Sequence, residues 1–78
     1  MKEKFYLTYP PVLVKEPILY LLVKKFDVIP NIRGANVSGE MGLLALELEG
    51  SPEALERAIL WLREQGVKVE PIEKNVIE

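Results

Sequence analysis

The sequence predicts a single α+β domain, a four-stranded antiparallel sheet carrying two helices on one face. Two segments, KFYLTY and LLALELE, alternate apolar and polar residues with the period of a half-buried strand. Two others carry apolar stripes at helical spacing, Ile18/Leu22/Phe26 and Leu55/Ala58/Ile59/Leu62. Their order along the chain, with a further strand after each helix, is βαββαβ.

The first strand places Phe5, Leu7 and Tyr9 on one face and Tyr6 and Thr8 on the other. Pro10-Pro11 cannot continue it, and a loop is expected to about Glu16. Pro17 suits a first helical position, where its missing N–H costs nothing. The helix that follows buries Ile18, Leu19, Leu22, Val23 and Phe26 and turns Tyr20 and Leu21 outward.

A second strand is expected from Val28 to about Val37, then a turn at SGEMG. The third strand points Leu44, Leu46 and Leu48 inward and Ala45, Glu47 and Glu49 outward. Gly50 ends it. Ser51-Pro52 reads as an N-cap followed by proline at the first helical position, and Gly66 as the C-cap of the second helix. Trp61 falls on the flank of that helix, as packing. VKVEP is the last strand; the domain spans 1–73, and 74–78 is expected to be a loose tail.

Right-handed crossovers put strands 1 and 3 in the centre and strands 2 and 4 at the edges, order 4-1-3-2. That arrangement is ferredoxin-like (ACT-like). The second strand is then an edge, where Pro30 is tolerated and Gly34 fits a bulge or a close approach by another backbone.

Composition narrows the chemistry. A chain of 78 residues holds one core and is marginally stable, so a disulfide, a metal or a partner commonly helps. With 0 Cys and 0 His, disulfides and thiolate or imidazole metal sites fall away, and so do Ser-His-Asp and Cys-His catalytic sets. No cofactor is expected and the chain reads as non-enzymatic. Glu47 and Glu49 share the solvated face of a strand and read as a hydrophilic surface. The net charge of −2 and a ring-free, acidic third strand argue against nucleic acid. The longest apolar run, Ile18 to Val23, is too short to span a bilayer, and MKEKFYLTYPP does not read as a signal peptide, so a cytoplasmic location is expected.

A partner remains. Tyr20 and Leu21 on the outward side of the first helix, beside a disturbed edge strand, predict a homodimer using these two residues with Pro30 and Ile32. The irregular edge has a plainer reading too, as a device against sheet-to-sheet aggregation.

EPILYLLVKKFDVIPNIRGANV, a glycine turn, LLALELEG, a helix and LREQGVKVEPIE together resemble the NIL domain, over residues 4 to 73. The most specific parts are Pro17, KFDV, Asn31-Ile32, and the segment from ELEG to LREQGV. LTYPPVLVKEP and NIRGANV look closer to the ferredoxin-linked branch of the family than to its importer branch. Arg33 stands where the name-giving Asn-Ile-Leu has leucine, and no cysteines follow, which excludes an iron–sulfur cluster here. The resemblance implies a regulatory module that binds methionine or a related small molecule at a domain dimer.

The asparagine matching the motif is Asn31. With Arg33 and Gly34 it is expected to meet a small amino-acid ligand near the helix start, where Glu16 would bind the α-ammonium. The alternative reading is a protein-interaction adaptor linked to sulfur-amino-acid metabolism, a partner of a ferredoxin or transporter component with no ligand of its own.

Overall fold

Leu7, Leu46 and Leu48 have no solvent exposure at all, and the fold is organised around the strand pair that carries them. The computed structural model describes residues 1–38 and 41–72. Its elements are β1 (Lys2–Tyr9), α1 (Pro11–Val14), α2 (Ile18–Lys25), β2 (Ile29–Ser38), β3 (Met41–Glu49), α3 (Pro52–Gln65) and β4 (Lys68–Pro71). The sheet order is β2-β3-β1-β4, all antiparallel, which is the predicted 4-1-3-2. Gly39 and Glu40 of the expected turn and the expected tail at 74–78 lie outside the described residues.

The register Phe5↔Leu46 and Leu7↔Leu44 puts the apolar rows of β1 and β3 side by side on the helix face. Against them pack Ile18 and Leu22 of α2 and Leu55, Ala58 and Leu62 of α3, with Val69 closing the layer from β4. Val28, Ala54 and Val67 complete the buried set from positions just outside the strongest periodicity. Phe26 and Trp61 meet at 5.9 Å between ring centroids, tilted by 59°, so Trp61 does pack where the helix-flank reading put it.

The ends of α3 follow the expected chemistry. Ser51 Oγ accepts the Ala54 N–H at 3.1 Å, and Gly66 adopts φ 103° to close the C-terminus, its N–H donating to the Arg63 carbonyl. Gly50 is needed for space: a Cβ there would stand 3.0 Å from the Asp27 carbonyl oxygen and 3.2 Å from Val28 Cγ1. Arg63 Nη2 donates to the Val69 carbonyl at 3.1 Å, tying α3 to the short edge strand.

Three expectations are corrected. The loop Pro10–Glu16 contains a one-turn helix, α1, in which Leu13 N–H donates to the Pro10 carbonyl at 2.9 Å. Four residues rich in β-branched side chains leave no periodic trace, and proline at the start presets the turn. Pro17 is the N-cap residue of α2, one position before the first helical residue. Val23, expected inward, is 44% exposed, while Leu21 is half-buried. At about 100° per residue, Leu19 and Leu21 each lie about 80° from the Ile18–Leu22 centre line, and Val23 about 120°.

Leu46→Ala is expected to cost about 2–5 kcal/mol in denaturant unfolding, as truncation of a fully buried leucine does. A loss below about 0.5 kcal/mol would mean that β3 does not carry the core.

Candidate ligand-binding site

Where α2 begins, the helix layer and the sheet part. The space between them is an open cavity of about 260 Å³, below the roughly 300–1,000 Å³ of pockets for drug-sized ligands and suited to something of amino-acid dimensions. Val14, Glu16 and Pro17 form one wall and Ile18, Leu19 and Tyr20 the roof; Tyr9, Val37, Gly42 and Leu44 lie across from them. Gly42 makes part of the room: a Cβ there would meet Tyr9 Cβ at 3.6 Å and Val14 Cγ2 at 3.8 Å, ordinary contacts, so a larger side chain would enter the cavity.

The lining is largely apolar, and Glu16 is its one charged side chain among the described residues. Glu16 is an exposed residue of the lining. At the helix start, Ile18 N–H donates to the Glu16 carbonyl at 2.8 Å and Leu21 N–H to the Pro17 carbonyl at 3.0 Å. The N–H groups of Leu19 and Tyr20, between them, have no backbone partner among the described residues. No side chain caps this terminus and its first turn holds no acidic residue. Tyr20 is held from behind by Lys24, whose Nζ lies 5.6 Å from the ring centroid. Burial pushes the Tyr9 phenol above its ordinary pKa, because the phenolate would lose its hydration there.

Of the residues singled out in the sequence, Glu16 lines this cavity; Asn31, Arg33 and Gly34 do not. They lie on β2, opposite Glu47 and Ala45 on the sheet face turned away from the helices. Arg33 is the additional residue of a β-bulge between Ile32 and Gly34, and its guanidinium lies 3.7 Å from Glu47 Oε1. The expected interface residues are accessible to different degrees: Tyr20 and Ile32 are 60% and 53% exposed, whereas Leu21 and Pro30 are half-buried. Sequence reasoning missed Tyr9, Gly42 and Val37 as cavity residues. Tyr9 looked like one more core position of an alternating strand, and Gly42 like part of a turn.

A βαββαβ sheet with two packed helices, a cavity at a helix start and a bulged free edge defines the class; known proteins supply the family. The NIL domain family profile matches residues 5–71, and the chain belongs to that family. A relative from Listeria innocua, named methionine import ATP-binding protein MetN 1, is 39% identical over 62 residues, 74% of this chain and 18% of the relative. The MetN protein of Helicobacter hepaticus is 33% identical over 60 residues, 72% of this chain and 17% of that protein. The chain thus spans less than a fifth of the length of the curated relatives it matches. The crystal structure of a C-terminal domain of an ABC transporter ATP-binding protein from Enterococcus faecalis superposes with a TM-score of 0.83 at 26% identity, covering 94% of this chain and 86% of that one. No helix among the described residues is long and apolar enough to cross a membrane.

The Tyr9 environment has a pH consequence. Its phenol ionises later in the folded chain than in the unfolded one, so the stability this contributes is present below pH 10 and is lost as pH rises through the folded pKa. Ultraviolet titration should show a late phenol ionisation that Tyr9→Phe removes; a profile whose late part is unchanged by Tyr9→Phe would contradict the placement.

Proposed function

We propose that this NIL domain is a non-enzymatic regulatory module of the cytoplasm that binds a small amino acid, methionine first among them, and acts as a homodimer. The observation that carries the reading is the cavity at the start of α2. An α-amino acid bears two opposite charges a few ångströms apart and an apolar side chain. The cavity offers a carboxylate at Glu16, two unpartnered N–H groups at Leu19 and Tyr20, and apolar walls. The N–H groups at the positive end of the helix dipole suit the ligand's carboxylate, and Glu16 suits its ammonium. Leu44, Ile18 and Val14 offer the side chain an apolar wall. The names of the relatives support methionine as the first ligand to try, since they are methionine import proteins.

In this reading Asn31, Arg33 and Gly34 act from the edge strand. Val37 belongs both to the cavity and to β2, so whatever covers β2 also borders the ligand. Tyr20 lines the cavity from the helix side, with Leu21 next to it on α2, whereas Pro30 and Ile32 lie farther along β2, opposite Leu48 and Leu46.

The test is a melting series with a panel of amino acids. A ligand at about 100 times its dissociation constant adds about 2.7 kcal/mol, a shift on the order of ten degrees for a domain this small. Glu16→Gln and Gly42→Val are expected to abolish the shift while leaving the unliganded melt within a few degrees. If Asn31→Ala abolishes it and Glu16→Gln does not, the ligand sits on the sheet face beside Asn31 and Arg33. If no amino acid moves the melt, the adaptor reading replaces this one.

A further inference from the structure

Two aromatic rings line the cavity at the start of α2 and have no part in holding a zwitterion by its charges alone. Tyr9 comes from the end of β1 and Tyr20 from the first turn of α2, so one ring belongs to the sheet and the other to the helix layer. Tyr9 is half-buried and Tyr20 is exposed. Gly42 keeps the base of the first ring open: a Cβ there would stand 3.6 Å from Tyr9 Cβ and 4.0 Å from Tyr9 Cγ. Tyr20 already receives a cation, since Lys24 Nζ lies 5.6 Å from its ring centroid. Lys24 itself is one turn farther along α2 and outside the lining, which holds no basic side chain among the described residues.

What else lines the cavity decides which cation fits. Glu16 is the one charged side chain, and Val14, Pro17, Ile18, Val37 and Leu44 are apolar. A primary ammonium brings three N–H donors and a tightly held hydration shell. Glu16 can accept some of those donors, the aliphatic walls accept none, and a buried donor left unmet is costly. A methylated onium centre has no N–H to satisfy. Its charge is spread over its methyl groups, which can touch aliphatic walls and ring faces alike, and its attraction to a ring or a carboxylate needs no aligned hydrogen bond. At the helix start, the Leu19 and Tyr20 N–H groups have no backbone partner among the described residues and suit a carboxylate.

We propose that the ligand is a small carboxylate bearing a fully methylated onium centre, a trimethylammonium or a dimethylsulfonium group. Tyr9, Tyr20 and Glu16 surround the cation, and the Leu19 and Tyr20 N–H groups hold the carboxylate; this rests on the reading of the cavity as the ligand site and names the ligand's class. The two kinds of onium share one chemistry here, a diffuse positive charge inside a methyl surface, and the cavity makes the same contacts with both.

Calorimetry and melting with matched probes test it. Glycine betaine and 3,3-dimethylbutanoate have the same shape and the same carboxylate, and differ in a quaternary nitrogen against a quaternary carbon. Glycine betaine is expected to bind at least tenfold more tightly, a preference that apolar contact alone would not give. Dimethylsulfonioacetate is the second arm; the tighter of the two onium probes identifies the centre. Tyr9 also packs against the core, so the exposed Tyr20 is the ring to vary. Tyr20→Leu should weaken glycine betaine about tenfold and leave 3,3-dimethylbutanoate within about twofold, while Tyr20→Phe, which keeps the ring face, should bind as the parent does. Equal binding of the two matched probes, or no loss in Tyr20→Leu, overturns the onium assignment. If neither onium probe binds and a primary amino acid shifts the melt, the assignment falls and the amino-acid reading stands. If no probe of either kind moves the melt, both fall.

Discussion

Everything in this domain hangs on the antiparallel pairing of β1 with β3. Their eight-rung register aligns the apolar rows of Phe5, Leu7, Leu46 and Leu48 into one surface, and that surface is what α2 and α3 cover. In a chain this short, no second cluster could compensate for its loss. Slipping the pairing by one residue would turn the leucines to solvent and bring Glu47 and Glu49 against the helices. The close fit at Gly50 and the Arg63 bond to the β4 backbone are adjustments around a decision already made at the centre of the sheet.

This is why the fold is legible in the sequence. Alternation in KFYLTY and LLALELE, the Ser51 cap and the Gly66 stop are local signals whose physics acts within a few residues. The failures share a cause as well. α1 is too short to leave a period, and the exposure of Val23 depends on an offset that opens only when α2 begins at Ile18. The cavity was the least legible feature, since Tyr9, Val37 and Gly42 come from three different strands and meet only through the sheet. Glu16 was legible because it adjoins a helix start, and helix starts are visible in sequence.

Asn31 and Glu16, expected from the sequence to share a ligand, are apart in space. The sheet stands between them: Asn31 is on the face beside Glu47, Glu16 in the cavity under α2. One residue, Val37, belongs both to the cavity and to the edge strand. Ligand occupancy and strand pairing would then be thermodynamically coupled, each altering the other's equilibrium by the same factor.

The shortness of β4 has a further consequence. A sheet with two adhesive margins can grow without limit, copy after copy, into a fibre. Here the margins are unequal: one is a ten-residue strand, the other runs for four residues and ends at Pro71, which has no N–H to offer. Two molecules that meet along their long margins present only the short ones outward. An assembly formed along the long margin would therefore have no growing end.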